Sequence, residues 1–162
     1  MSKPQPKTND TPRVERKGPI TVAGIARTYS CDGPNDIPAQ WQALGPHMSE
    51  LADAGCTGYG VCTGVTGNAE SYQYLAGVGV SGAKAVPEGF TSQIIPARDY
   101  AVFTHRGNAA GIPAAVQTIF RDELPRAGLV PEGEPGLIEI YDERFDPRTG
   151  SGEIEFWIPV RE

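Results

Sequence analysis

The chain is poor in the residues that build a metal centre, a disulfide framework or a membrane span. It has three cysteines, Cys31, Cys56 and Cys62, none in a C-x-x-C pair, and two histidines, His47 and His105. An odd number of cysteines without motif spacing argues against both a disulfide scaffold and a zinc site, so the thiols read as reduced and packed, and no metal or other cofactor is expected. No apolar run reaches the roughly 20 residues that a spanning helix needs, and the N-terminus lacks the apolar centre of a secretory signal. These absences point to a cytoplasmic protein.

An excess of basic charge is missing too. Residues 121–162 hold 11 acidic and 5 basic side chains, whereas residues 1–120 hold 9 of each, so the whole net charge of −6 sits in the last quarter. Phosphate contacts need Lys and Arg, and direct nucleic-acid binding is therefore disfavoured. An acidic surface suits cationic ligands or a basic protein partner, or simply a well-solvated face. The glycine-rich run over residues 55–67, with Gly58, Gly60 and Gly64, lacks the strand-to-helix setting and Lys-Ser/Thr of a phosphate loop. It reads as strand whose missing side chains leave room for a ligand or for close backbone contact.

What is present is a repeat. Ile37-Pro38-Ala39-Gln40-Trp41-Gln42 recurs as Ile112-Pro113-Ala114-Ala115-Val116-Gln117, and each copy runs on to a matching end, at residues 50–55 and 123–128. Each copy is too short to bury its own apolar face, so the two share one core, and a pocket belongs at the seam between them. At 162 residues and 17.3 kDa the chain fits a single domain.

The pattern along the chain agrees with two such units. Residues 1–17 read as a disordered leader, its first twelve residues holding Pro4, Pro6 and Pro12 among polar side chains. A strand is expected over residues 20–29, then a helix capped by Asp36, with Ile37, Trp41, Leu44, Met48 and Leu51 on one side and a kink at Gly45-Pro46. Strands over residues 59–65 and 72–80 form a hairpin. A further pair covers residues 90–95 and 99–105, ahead of a second helix striped by Ile112, Val116, Ile119, Phe120 and Leu124 and ended by Gly128. Two last strands cover residues 137–141 and 153–160. The order strand, helix, strand, strand thus occurs twice, which defines an α+β fold of duplicated β-α-β-β units, with an antiparallel sheet and helices on one face.

Alternation in the last two strands separates Ile138 and Ile140 from Leu137, Glu139 and Tyr141, and separates Ile154, Phe156 and Ile158 from Glu153, Glu155 and Trp157. The aliphatic face is expected to meet the helices. That leaves Glu139 beside Tyr141 and Trp157 on the other face, where a carboxylate among rings suits planar or cationic organic molecules, or where two amphipathic aromatics merely meet water.

The segments Tyr100-Ala101-Val102-Phe103-Thr104-His105-Arg106-Gly107, Ile119-Phe120-Arg121-Asp122-Glu123-Leu124-Pro125, Ile138-Glu139-Ile140-Tyr141-Asp142-Glu143-Arg144-Phe145-Asp146 and Glu153-Ile154-Glu155-Phe156-Trp157-Ile158-Pro159-Val160 resemble the GyrI-like small-molecule-binding domain, the effector-binding domain of AraC-type and multidrug-responsive regulators. The resemblance covers about residues 18–161, and residues 18–162 are expected to form the one domain. It implies a central cleft between the halves in which a strand glutamate meets cationic, hydrophobic ligands, and Glu139 matches that glutamate. The chain departs from the family at Gly107-Asn108-Ala109-Ala110-Gly111, where members often carry an aromatic, and the residues before Ile20 are too few and too proline-rich for a helix-turn-helix. A stand-alone module is expected, with any regulatory role passing through a separate partner.

Three functions follow. One is a non-catalytic protein that senses or sequesters an amphipathic aromatic or cationic ligand, or confers resistance to one, with Glu139 for charge and Tyr141, Trp157, Tyr74 and Trp41 for area. Tyr72, which shares a strand face with Tyr74, and Phe103 and His105 complete the candidate set, although Trp41 also suits core packing and His105 a structural hydrogen bond. The second is a hydrolase opening strained electrophilic rings, as some stand-alone relatives do, with Glu139 acting on water as base or acid. The third is an acidic protein-interaction module of the gyrase-inhibitor type.

Overall fold

The computed structural model describes residues 13–30, 37–47, 57–64, 71–80, 88–142, 144–146 and 149–161. Asp36, Met48, Leu51, Cys31, Cys56, the end of the first repeat copy and the hairpin loop lie outside them, as does the leader up to residue 12. The elements are β1 (Arg13–Lys17), β2 (Ile20–Ser30), α1 (Ile37–Leu44), β3 (Gly58–Thr63), β4 (Ser71–Val80), β5 (Thr91–Ile95), β6 (Arg98–Asn108), α2 (Ile112–Thr118), β7 (Val130–Pro131), β8 (Leu137–Tyr141), β9 (Phe145–Asp146) and β10 (Ser151–Arg161). The expected strands and both helix starts are present. Residues 13–17, placed in the leader from their composition, instead form β1 along β6.

Gly45-Pro46 does end α1, which tightens into a 3₁₀ turn over Gly45–His47 because proline cannot donate the next helical hydrogen bond. The second helix continues from α2 through a π turn, Ile119–Glu123, and a last turn, Leu124–Arg126. Gly128 then takes φ +75°, a conformation that suits glycine, while Gly128 N–H donates to Pro125 O at 3.0 Å and Leu129 N–H to Leu124 O at 2.9 Å.

Neighbouring strands pair antiparallel in the order β1-β6-β10-β8-β3-β4-β2-β5, with β7 and β9 attached to β10. The centre of this order is palindromic. β6, β10 and β8 of the second unit mirror β2, β4 and β3 of the first, and the two units join at the β3–β8 pair. Only Gly18 and Pro19 connect β1 to β2, although β1 lies at one end of the order and β2 next to the other end. The sheet therefore curls until its ends approach each other.

Curling buries both faces. Beneath the helices, Leu44, Ala115, Ile119 and Leu124 pack on Tyr74, Ala76, Phe103, Ile154, Phe156 and Ile158. On the inner side of the curl, Val22, Val61, Leu75, Ile95, Tyr100, Val102, Ile138, Ile140 and Trp157 form a second cluster. This corrects the expected facing of β8. Phe156 pairs with Glu139, and Trp157 with Ile138, so Glu139 and Tyr141 lie under the helices with the aliphatic face of β10, while Trp157 joins Ile138 and Ile140 on the far side. Alternation assigns parity within one strand, but register between strands decides which parities share a face.

Candidate functional site

One row of paired residues crosses the sheet under the helices: Ile25, Ala76, Gly60, Glu139, Phe156 and Phe103. Glu139 is its only charged member, stands at the seam of the two units and is 7% exposed. Tyr74 Oη and Tyr141 Oη both donate to Glu139 Oε1, each at 2.8 Å. Trp41 Nε1 donates in turn to Tyr74 Oη at 3.0 Å, which extends the network onto α1. Among the described residues, no donor reaches Oε2 and no lysine, arginine or histidine pairs with this carboxylate.

Two glycines make the arrangement possible. A Cβ built at Gly60 would overlap the Tyr74 hydroxyl and stand 2.8 Å from Glu139 Oε1, so a side chain there would displace the hydrogen bond. A Cβ at Gly58 would press to 3.3 Å from the Trp41 ring. The ring of Trp41 can therefore lie over β3, with its centroid 5.3 Å from Tyr141 and 6.5 Å from Tyr74 in edge-on arrangements. Phe145 adds a further ring 5.0 Å from Tyr141.

Burial raises the Glu139 carboxyl above the ordinary carboxylate range, and the hydrogen bonds from Tyr141 and Tyr74 offset part of that rise. Tyr74 and Tyr141 are pushed well above a free phenol, first by burial and then by the Glu139 charge, so both remain donors. Cys62, buried and free, is pushed up by the same two causes, which keeps it a thiol rather than a nucleophilic thiolate.

The sequence candidates divide. Glu139, Tyr141, Tyr74 and Trp41 come together in the network above. Tyr72 shares the face of Tyr74 but stacks at 5.9 Å on Tyr29 near the strand ends. Phe103 shares the Glu139 face and is buried two strands away, beyond Phe156. His105, buried near the end of β6, donates from Nε2 to Asn108 O at 3.1 Å and leaves Nδ1 without a partner. Trp157 is in none of this: on the opposite face its indole donates to Glu155 Oε1 at 3.0 Å, its neighbours are Tyr59 and Tyr100, and Lys17 Nζ lies 5.1 Å from the ring centroid.

Sequence reasoning passed over Gln40, whose buried carboxamide links α1 to β2 and β4, and Phe145. For Gln40 a signal existed, since the two repeat copies agree through Ile-Pro-Ala and part at Gln40-Trp41 against Ala115-Val116.

The duplicated, curled α+β sheet is a fold shared with small-molecule-binding domains. The chain belongs to the GyrI-like small molecule binding domain family, whose sequence model matches residues 10–161. It is 32% identical over 152 residues to the transcriptional regulator BrlR of Pseudomonas aeruginosa, a match covering 91% of this chain and 54% of that protein. The chain thus spans about half the length of that relative. Among solved structures, an integron cassette protein from the mobile metagenome of Vibrio cholerae, VCH_CASS2, has a TM-score of 0.67 at 14% identity, covering 93% of this chain and 96% of the other. SAV2435, solved bound to tetraphenylphosphonium, has a TM-score of 0.62 at 18% identity and covers 93% of each chain. These two share the fold. Among the described residues, no helix is long and apolar enough to cross a membrane and no group of three His, Cys, Asp or Glu is placed to hold a metal ion.

Proposed function

We propose that this cytoplasmic domain binds amphipathic aromatic cations in the cleft at the β3–β8 seam, as a sensor or sequestering protein. Glu139 supplies the charge, and Trp41, Tyr74 and Tyr141 supply ring surface. The observation that carries this reading is a buried carboxylate that accepts two hydroxyl donors yet has no cation among the described residues. Burying an unpaired carboxylate is costly, and that cost favours an incoming positive charge. Flanking ring faces attract the same kind of ligand. Tetraphenylphosphonium on SAV2435 and the regulator role of BrlR agree with ligand sensing. A regulatory output would pass to a DNA-binding segment or a partner protein.

Ring-opening hydrolysis is the second reading, favoured by one feature: the raised Glu139 pKa, with Oε2 accepting no hydrogen bond, suits a carboxyl that takes a proton from water. The acidic-docking reading loses ground because much of the C-terminal acid is paired internally: Arg144 binds Asp142, Glu153 and Glu155, and Arg161 binds Glu132.

A crystal structure with tetraphenylphosphonium tests the proposal. The phosphonium is expected against Glu139, with its rings on Trp41 and Tyr141. Density at Trp157 on the far face, or none at saturating ligand, would refute it.

A further inference from the structure

The two repeat copies begin alike and then diverge at residues that bear on the site. Gln40 and Trp41 in α1 correspond to Ala115 and Val116 in α2. The sheet register extends the comparison: the rows Ile25, Ala76, Gly60 and Phe103, Phe156, Glu139 are related across the seam, so the residue corresponding to Tyr74 is Ile154. Under α2 the three counterparts, Ala115, Val116 and Ile154, are all aliphatic. Under α1 Gln40, Trp41 and Tyr74 are polar or aromatic, and Glu139, from the second unit, turns toward them over Gly60.

Gln40 is the one member of this set whose side chain makes no hydrogen bond to the side chains around the carboxylate. Its carboxamide is fully buried, and its hydrogen-bonding groups are engaged on three sides. Nε2 donates to Ile25 O at 2.7 Å and to Tyr74 O at 2.8 Å, while Oε1 accepts from Tyr29 Oη at 2.6 Å. The amide therefore ties α1 to β2 and β4 at the residue that carries the Tyr74 hydroxyl. A buried amide can be satisfied in this way at only one height and rotation of the helix, because each lost partner leaves a desolvated polar group. The next residue is Trp41, whose indole N–H meets Tyr74 Oη. Ala115, in the other helix, has no side-chain polar group and fixes nothing of this kind.

We infer that Gln40 is the positioning residue of this site: its buried amide clamps α1 so that Trp41 and Tyr74 are held on Glu139, and that clamp sets the preference for a cation over a neutral molecule of similar shape. The inference rests on the cation-binding reading above. A purely structural Gln40 would change stability alone, or weaken cationic and neutral ligands together.

The test titrates tetraphenylphosphonium and neutral triphenylphosphine oxide into the wild type, Gln40→Met, which keeps length without the amide, and Tyr29→Phe, which removes one partner of the clamp and leaves the core filled. In Gln40→Met the ratio of the two affinities is expected to fall about tenfold, and in Tyr29→Phe about threefold, as loss of hydrogen bonds worth these factors implies. A ratio unchanged in both, or a parallel loss for both ligands, overturns the role of Gln40. Should Gln40→Met not fold, Tyr29→Phe decides by the same ratio. A ligand-free measurement separates this inference from the reading it rests on: in a Trp157→Phe background, where Trp41 is the only tryptophan, acrylamide quenching of Trp41 is expected to rise in Gln40→Met and Tyr29→Phe. Increased quenching with no cation preference in the wild type would sink the cation reading and leave the clamp standing; unchanged quenching would sink the clamp.

Discussion

Gly60 and Glu139 face each other across the central strand pair, and the side chain that one lacks is the space in which the other meets Tyr74. They occupy related positions in the two units, so the duplication places one carboxylate, rather than two, at the seam. A second carboxylate in the same space would force one of the pair to stay protonated.

The first prediction concerns that space. Gly60→Ala drives a methyl into the Tyr74 hydroxyl, and neither strand can move away without breaking its ladder. A loss of about 1–3 kcal/mol in stability is expected from overpacking, read by urea unfolding, together with weakened ligand binding. Wild-type stability in the variant would show that the Tyr74–Glu139 contact is not as close as described.

The second concerns pH and stability. A carboxyl whose folded pKa lies above its unfolded value near 4.5 contributes stability that is full below that value and is lost as the pH rises through the raised folded pKa. At neutral pH the Glu139 charge therefore works against folding. Glu139→Gln, which still offers an oxygen to the two tyrosines, should raise the Tm at pH 7, with the difference shrinking toward pH 4. Identical Tm values across that range would contradict the burial of an unpaired charge.

The third separates the two tryptophans. Trp41→Ala should weaken binding of tetraphenylphosphonium about tenfold, since it removes a ring face and the indole donor. Trp157→Phe, on the opposite face, should cost about 1 kcal/mol through its lost hydrogen bond to Glu155 and leave binding within about twofold. The reverse ranking would place the site on the inner side of the curl.

Trp157 also marks how far the sequence could be read. The strand and helix order and the duplication were legible, because alternation, proline and glycine placement and the repeated Ile-Pro-Ala act locally or along one strand. The pairing of Phe156, rather than Trp157, with Glu139 was not, since register depends on the whole ladder. The alternative in which the face away from the helices merely meets water fails for a related reason: the curl buries Ile138, Ile140 and Trp157 against Val61, Leu75 and Tyr100. β1 escaped notice because Arg13–Lys17 reads as charged and polar, and its pairing with β6 rests on backbone hydrogen bonds and on Lys17 over Trp157.

The fourth prediction is a pH dependence of binding. A cation is attracted to the ionised carboxylate, so affinity for tetraphenylphosphonium should fall as the pH drops through the raised Glu139 pKa, while that for triphenylphosphine oxide stays level. Parallel pH profiles for the two ligands would remove Glu139 ionisation from the binding step.

The measurement closest to the central claim is calorimetric titration of tetraphenylphosphonium and triphenylphosphine oxide into the wild type and Glu139→Gln. The wild type should prefer the cation, and the variant should lose at least about 2 kcal/mol of cation affinity, roughly thirtyfold, with little change for the neutral ligand. Equal cation affinity in both proteins would contradict the account, because the buried carboxylate at the seam would then have no part in recognition.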